Sequence, residues 1–465
     1  MKNPLSFLRR KSPPTPRGAA RFHALRARFA ANPHAADYGV SLTVALSEDI
    51  DSNPDARRRL RALARYELQH NSYARGIAQT LANDSISYGP RLRFAADNDT
   101  LAAAIERDFA AWSEAVHLAE KLRTARIARC CDGESFIYLG RNAALNTPIK
   151  LDLQIVDAGY VSDEGTFAAM QSAARESGSA FVDGITYDRF GNPTAYRIWI
   201  DAAHDGRGKE LRVDAANMIH VYRRDRPCQL RGVSEFAAAL PLFAQLRRYT
   251  AAVVASAEKC AEFAGILYTD SPAEGQAAAI EPLDAFDIEY NKLTTMPEGW
   301  KMSELYVKPP LTTYADFKRE LLAEIGAALG VPYAVAAGTS SGFTYASAKL
   351  DHQTYFRNLR HERGFVEDAI LNRLFRVWLK EWRLIHGEFA ADEIDAALGE
   401  WIWPRLDDVD QFTSSRMTAM ELANGTTTLA QEFAKRGKNW KTELLQRKKE
   451  SDYLKELGLT VKGNG

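Results

Sequence analysis

The chain has 465 residues, of which 46% are hydrophobic, and its 60 Lys and Arg are balanced by 60 Asp and Glu, for no formal net charge. That length holds two to four domains with buried cores, and the balance argues against a static clamp that grips nucleic acid through many accumulated phosphate contacts. No run approaches the roughly eighteen uncharged apolar residues of a membrane helix, and the basic N-terminus lacks the apolar core of a secretory signal.

Residues 1–36 contain no acidic side chain but carry Lys2, Arg9, Arg10, Lys11, Arg17, Arg21, Arg26 and Arg28. They read either as a draped, disordered arm or as a basic arm that contacts DNA or a neighbouring subunit. Residues 55–82 carry a helical apolar pattern (Leu60, Leu63, Ala64, Leu68, Ile77, Leu81), and amphipathic helices are predicted over Leu101–Trp112 and Leu118–Cys131. A strand follows over Gly133–Leu139. Asp132 and Glu134 flank its turn with no His or third acid near in sequence, so they read as surface acids rather than a catalytic carboxylate pair. Cys130, Cys131, Cys228 and Cys260 show no metal spacing; the adjacent pair reads as ordinary buried thiols.

From 151 to 224 the pattern turns to strands. Leu151–Val156 alternates, Ile185–Tyr187 and Ala195–Trp199 flank a turn at Asp188–Pro193, and Met218–Tyr222 places His220 opposite Ile219 and Val221, in a structural role. Leu242–Ala264 is an Ala-rich helix about 35 Å long. Its small face (Ala251, Ala255, Ala261) suits close packing against another helix, in the same chain or a neighbouring one, and a buried core helix is equally compatible. A short strand, Gly265–Thr269, and a weakly periodic Pro/Gly-containing stretch, 270–295, come next.

The most informative stretch is Met296–Trp382. Thr313 is a suitable N-cap for a helix whose apolar stripe is Phe317, Leu321, Ile325 and Leu329, ended by Gly330 and Pro332. Tyr333–Tyr345 reads as a loop with no charged side chain. A very long helical pattern follows, with the stripe Leu359, Val366, Ile370, Leu374, Trp378 and Trp382, and with Gly364 as the candidate kink. A C-terminal region opens at Trp401–Pro404 and contains helices over Phe412–Ala423, from Thr426–Leu429 onward, and over Glu443–Leu457.

Several chemistries find no motif: there is no phosphate-binding Gly-x-x-x-x-Gly-Lys-Ser/Thr, no His-Glu-x-x-His and no Cys/His cluster, so no cofactor or metal is expected. One formal match, Gly338-Thr339-Ser340-Ser341-Gly342, fits a hydrolase nucleophile elbow. Its alternative reading is a serine hydrolase using Ser340. A helix and Pro332 precede it where a strand is required, and His352 and His361 lie on the adjoining helix instead of a later loop.

Ala327-Ala328-Leu329-Gly330-Val331-Pro332-Tyr333, then a short Ser-containing loop, then Tyr345-Ala346-Ser347-Ala348-Lys349 opening a long helix, resembles the core of the lambda-type phage portal family. Met296-Pro297-Glu298-Gly299 is similar to the family's Pro/Gly turn, with Glu298 inserted, and Lys349 stands where Arg is usual. Gly133-Glu134-Ser135-Phe136, Arg231-Gly232-Val233-Ser234 and the C-terminal Asn424-Gly425 and Trp440 segments extend the likeness over roughly residues 40–460.

The resemblance implies a predominantly helical α+β fold assembled as a ring, usually of twelve subunits, at one capsid vertex of a phage or prophage. Through the ring double-stranded DNA is packaged and ejected. The implied parts are a basic arm (1–40), a mixed α/β wing (41–230), a first stem helix and clip (231–312), a second stem helix and tunnel loop (313–345), a long wing helix (346–400) and a helical crown (401–465). The implied partners are the terminase large subunit, the major capsid or scaffold protein and a head–tail adaptor, with no membrane and no catalysis of its own. Synthesis in the host cytoplasm and residence in the virion follow. The implied DNA-facing tunnel loop comprises Thr339, Ser340, Ser341, Gly342, Phe343 and Thr344, with Lys349 the nearest cation. Net neutrality fits a channel in which DNA must slide better than a clamp.

Overall fold

The computed structural model describes residues 54–94, 99–161, 180–200, 209–227, 229–261, 265–269, 300–304, 311–339, 345–387, 399–406, 411–436, 438 and 440–456. The basic arm, the 270–295 stretch and Ser340–Thr344 lie outside them. The chain divides into two compact units, one of residues 1–241 with 323–465, the other Leu242–Leu322.

The first unit opens with two helices, α1 (Pro54–His70) and α2 (Ser72–Ile86), where the pattern over 55–82 reads as one run. Asn71 makes the break: its backbone is extended and its side chain accepts from the N–H groups of Tyr73 and Ala74, an N-cap that restarts the helix. Strand β1 (Arg91–Phe94) and helices α3 (Asp99–Ala115) and α4 (Leu118–Asp132) follow. Gly133, at φ 89°, ends α4 and turns the chain into β2 (Glu134–Arg141). With β3 (Leu151–Val156) and β8 (Met218–Tyr222) it forms an antiparallel sheet in the order β3-β2-β8.

Both faces of this sheet are buried, so its strands alternate between two cores. Ile137, Leu139, Leu151, Leu153, Ile219 and Val221 join the helices, and Phe136, Val156 and Met218 face a second sheet. That second sheet is the meander β4 (Ala180–Val182), β5 (Ile185–Tyr187), β6 (Pro193–Ile200) and β7 (Lys209–Asp214), and it contains the expected 188–193 turn.

The long helical pattern is real but its interruption is not at Gly364. Helix α8 (Tyr345–Val366) runs into a π-helical turn, Glu367–Leu371, and then α9 (Asn372–Ile385). The cause is the spacing of the apolar residues. Val366, Ile370, Leu374, Trp378 and Trp382 recur every four residues, all of them buried. At about 100° per residue that spacing drifts by about 160° over the run, too far to stay on one face. One extra residue in a wider turn returns about 100° of it and keeps both tryptophans in the core.

Three buried indole nitrogens are satisfied, with Trp112 donating to the Leu151 carbonyl at 2.8 Å, Trp382 to Asp108 at 3.0 Å and Trp401 to Asn372 at 2.8 Å, whereas Trp378 Nε1 has no hydrogen-bond partner among the described residues. Strand β11 (Gly399–Ile402) then pairs antiparallel with β1. The C-terminal helices are α10 (Gln411–Ala423), α11 (Leu429–Lys435) and α12 (Trp440–Glu456). Thr428 and Gln431 form a capping box at α11, and α12 begins three residues before Glu443.

The second unit contains most of helix α5 (Leu240–Ala261), the antiparallel pair β9 (Gly265–Thr269) and β10 (Trp300–Glu304), and the first turns of α6 (Leu311–Leu329). Helix α6 starts two residues before the expected cap Thr313. Tyr249 stacks on Tyr314 at 5.7 Å and meets Phe317 at 4.5 Å, which sets these residues of α5 and α6 at one height. Ala251, Ala252 and Ala255 are exposed, so no described part of this chain covers that small face.

Candidate functional site

The predicted loop begins later than expected. Tyr333–Ala337 form one short helix, α7, because Pro332 supplies an extended N-cap and the Val335 and Ala336 N–H groups reach back to its carbonyl at 3.0 Å. Gly338, at φ 66° and ψ 26°, closes α7 with its N–H on the Ala334 carbonyl, and Thr339 donates to the same carbonyl at 3.1 Å. Thr339 is exposed. Ser340, Ser341, Gly342, Phe343 and Thr344 lie outside the described residues. Lys349 falls in the second turn of α8, and its side chain is outside them too.

The base of the loop is held tightly. Ala336 is buried, Val331 N–H bonds to the Gly326 carbonyl at 2.9 Å, and Asn358 of α8 donates to the Gly330 carbonyl at 3.3 Å. Further along α8, Arg363 donates to the carbonyls of Ser85 (2.9 Å), Asp84 (3.0 Å) and Pro404 (2.8 Å), and Tyr355 donates to the Asp84 carboxylate at 2.8 Å. Burial lowers the Arg363 guanidinium to about 10. The hydrolase context is missing: a helix, not a strand, leads into Gly338, and His352 packs against Tyr355 and Phe356 on α8.

The other end of the unit's functional geometry is the segment that leads into α5. Arg231 is fully buried, and its Nη2 and Nε meet the Glu134 carboxylate at 2.6 and 2.9 Å. Gly232 N–H donates to the same carboxylate at 3.0 Å, and His220 Nε2 lies 2.9 Å from it. Asp183 bridges Arg231, at 2.9 Å, to Arg57 of α1. Burial alone would raise Glu134, but Arg231 and the His220 hydrogen bond hold it well below the usual carboxylate range. Burial lowers His220, with the Glu134 bond opposing, and its ring is sandwiched between Phe136 (4.4 Å) and Tyr222 (4.2 Å).

Four residues on, Glu235 enters a second buried network. It accepts from Arg126 at 3.0 Å and Arg129 at 3.1 Å, and Arg129 also donates to Glu362 of α8 at 2.6 Å. Despite burial, the Arg126 and Arg129 charges hold Glu235 down to about 2. Ser234 donates to the Cys130 carbonyl at 3.3 Å and caps the turn before α5. Burial pushes the Cys130 thiol up to about 12, and Cys131 is also a buried free thiol. Gly232 has no space for a side chain, since a Cβ there would stand 2.1 Å from the Gly133 carbonyl oxygen.

The expectation that Asp132 and Glu134 are surface acids is therefore wrong. Asp132 is 8% exposed and bound by Arg65 at 2.6 and 2.7 Å, and Glu134 is wholly buried beside a histidine. The reason is the β2–β8 register, which pairs Phe136 with His220 across 84 residues of sequence, a contact no local pattern shows. The anchoring residues Arg231, Glu235, Arg126, Arg129 and Glu362 were missed for the same reason. The run Arg231-Gly232-Val233-Ser234-Glu235, without solvent-facing periodicity, was the available signal.

Among the described residues, no group of three His, Cys, Asp or Glu is arranged to hold a metal, and no helix is long and apolar enough to cross a membrane. Comparison with known proteins completes this picture. A family model described as "Phage portal protein, lambda family" matches residues 44–363. This chain belongs to the lambda family of phage portal proteins. That family is structural, not enzymatic, and the α+β, predominantly helical architecture is the portal fold.

The portal protein of Escherichia phage N15 is 22% identical over 454 residues, covering 84% of this portal chain and 83% of its own length. Among solved structures, the neck of an empty gene transfer agent particle, computed with C6 symmetry, is similar in fold with a TM-score of 0.50 at 14% identity, covering 81% of this chain and 93% of that one. The neck of a native gene transfer agent particle, computed with C12 symmetry, matches at a TM-score of 0.45 and 12% identity, covering 81% and 91%.

Proposed function

We propose that this portal protein assembles as a ring of twelve copies at one capsid vertex and forms the channel for packaging and ejecting double-stranded DNA. The observation that carries the reading is the family match over residues 44–363. In this reading the described residues through β8 are the wing, α5 and α6 the stem, and α10–α12 the crown. The 270–295 stretch is the clip, where the terminase large subunit and a head–tail adaptor would dock, and the capsid or scaffold protein meets the ring's outside. The protein is made in the host cytoplasm and ends in the virion.

Thr339–Thr344, followed by Lys349, is the tunnel loop facing DNA. Supporting this, the whole run from Tyr333 to Tyr345 carries no charge, so it can exchange weak hydrogen bonds with phosphate without holding it. Gly338 and Thr339 lead from α7 into this loop, a left-handed cap followed by an exposed threonine on a firmly packed base.

Three experiments test it. Negative-stain images of the purified protein are expected to show rings with a central hole; monodisperse protomers at all concentrations would sink the reading. Ser340→Arg, repeated around the ring, is expected to leave rings and capsids intact but to make packaging poor and salt-sensitive. Normal packaging at low and high salt would refute a DNA-facing loop. A serine-directed fluorophosphonate is expected to leave Ser340 unlabelled.

A further inference from the structure

The stem hairpin carries opposite, unpaired charges on its two outward faces. On α5, the residues that turn inward are Phe243, Leu246 and Val253, all buried. Arg248 projects from the other side of the helix, is exposed, and has no hydrogen-bond or ion-pair partner in the described chain. On α6, Asp316 and Glu320 stand one turn apart on the exposed side, away from buried Leu321, and neither has a partner in the described chain. The neighbouring cation Lys318 is occupied over the Tyr314 ring at 5.5 Å, and Arg319 makes an interaction within the chain.

Height decides which charges meet. Tyr249 packs against Tyr314 and Phe317, so Arg248 and Asp316 lie at nearly one level along the hairpin. Copies in a closed ring are related by rotation alone, and rotation about the ring axis keeps every residue at its own height. A ring whose hairpins run along its axis, with the α6 side of one against the α5 side of the next, therefore brings Arg248 level with its neighbour's Asp316. Glu320, about 6 Å away along the helix, is within reach of the long arginine side chain. Exposed Val254 (51%) and Phe317 (46%) leave apolar area on the same hairpin for such a neighbour to cover.

We propose that the stem docks a second copy of this chain through an ion pair from Arg248 to the neighbour's Asp316 and Glu320. It rests on the ring reading above and adds the contact that sets register between stems. A heterologous contact of this kind allows a strict test. Arg248→Glu faces like charge at every interface, and so does the double variant Asp316→Arg/Glu320→Arg, because like charges held together across an interface are strongly disfavoured. An equimolar mixture restores opposite charge at every interface if the two species alternate around the ring.

Wild type is expected to give rings by mass photometry. Each variant alone should give about tenfold fewer, with unchanged protomer helicity, and both the mixture and the triple variant that combines Arg248→Glu with Asp316→Arg and Glu320→Arg should recover them. Full ring yield from either variant alone overturns the ion pair. So does a loss that neither the mixture nor the triple variant rescues. Wild type without rings instead removes the ring reading itself, and this contact with it.

Discussion

Two segments of the larger unit handle charge in opposite ways. The five residues from Arg231 to Glu235 place both of their charged side chains in the interior, each fastened by two or more partners. The run from Tyr333 to Tyr345 has no charge at all. The first fixes the turn that leads into α5, and the second is the proposed sliding surface. A buried ion pair holds geometry because neither partner survives alone in a medium that solvates it poorly. A surface over which a polyanion moves has to lack that grip.

Two glycines give the sharpest way to break the comparison. Gly232→Ala would drive a Cβ into the Gly133 carbonyl and the Glu134 side chain. Overpacking of backbone against backbone exceeds the usual range of about 1–3 kcal/mol, so little folded protein is expected on expression. Gly338→Ala meets nothing within 4 Å and strains only a left-handed φ of 66°. It should cost about 1 kcal/mol, read from a chemical denaturation midpoint. Equal effects at the two sites would erase the contrast.

Next in size is Glu235→Ala. It leaves Arg126 buried without its main partner and Arg129 with Glu362 alone, at an expected cost of about 3–5 kcal/mol by denaturation. A loss under about 1 kcal/mol would mean that water replaces the carboxylate.

The same carboxylate, together with Glu134, contributes to acid stability. Its folded value of about 2 lies below its ordinary value, so its stabilisation is complete above the unfolded value of 4.5 and is lost as pH falls toward 2. The loss is about 3 kcal/mol over that window. Glu235→Gln should flatten the limb, and an unchanged pH dependence would assign acid lability elsewhere. The smallest effect is expected at Thr428→Ala, which removes the capping box of α11 for about 1 kcal/mol. Hydrogen exchange should rise in α11 and stay unchanged at the Arg231 segment.

The ease of reading the sequence followed the same division. Helices and strands with local periodicity were legible: α3, α4, β2, β3, β8 and the long helix all stand within a few residues of their predicted places. The four-residue spacing that demands a π turn was in view as well, but Gly364 drew the kink because low helix propensity is a local signal and angular drift is cumulative. The Asn71 cap hid inside an otherwise continuous helical pattern. The pairing of β9 with β10 was not visible, because thirty residues without clear periodicity separate them. The buried charges were illegible for a different reason. Glu134, His220, Asp183, Arg231 and Arg57 are scattered over more than 170 residues and meet only through sheet register and helix packing. The DNA-facing loop was assigned through the family resemblance, and of Thr339–Thr344 only Thr339 falls among the described residues.

The pairing of β1 with β11 has a consequence for how a protomer is made. Phe94 and its partner Gly399 are about 300 residues apart in the chain. At about 5–20 residues per second, the ribosome supplies the second strand roughly 15–60 seconds after the first. Until then Leu92 and Phe94 have no covering strand, and α3 lacks the tryptophans at 378, 382 and 401 that complete its packing. The segment from α5 to α6, Leu240–Leu329, lies between those two strands and has its full sequence available earlier. A nascent chain therefore presents the whole α5–α6 segment while the core around α3 still lacks its last strand and its tryptophans.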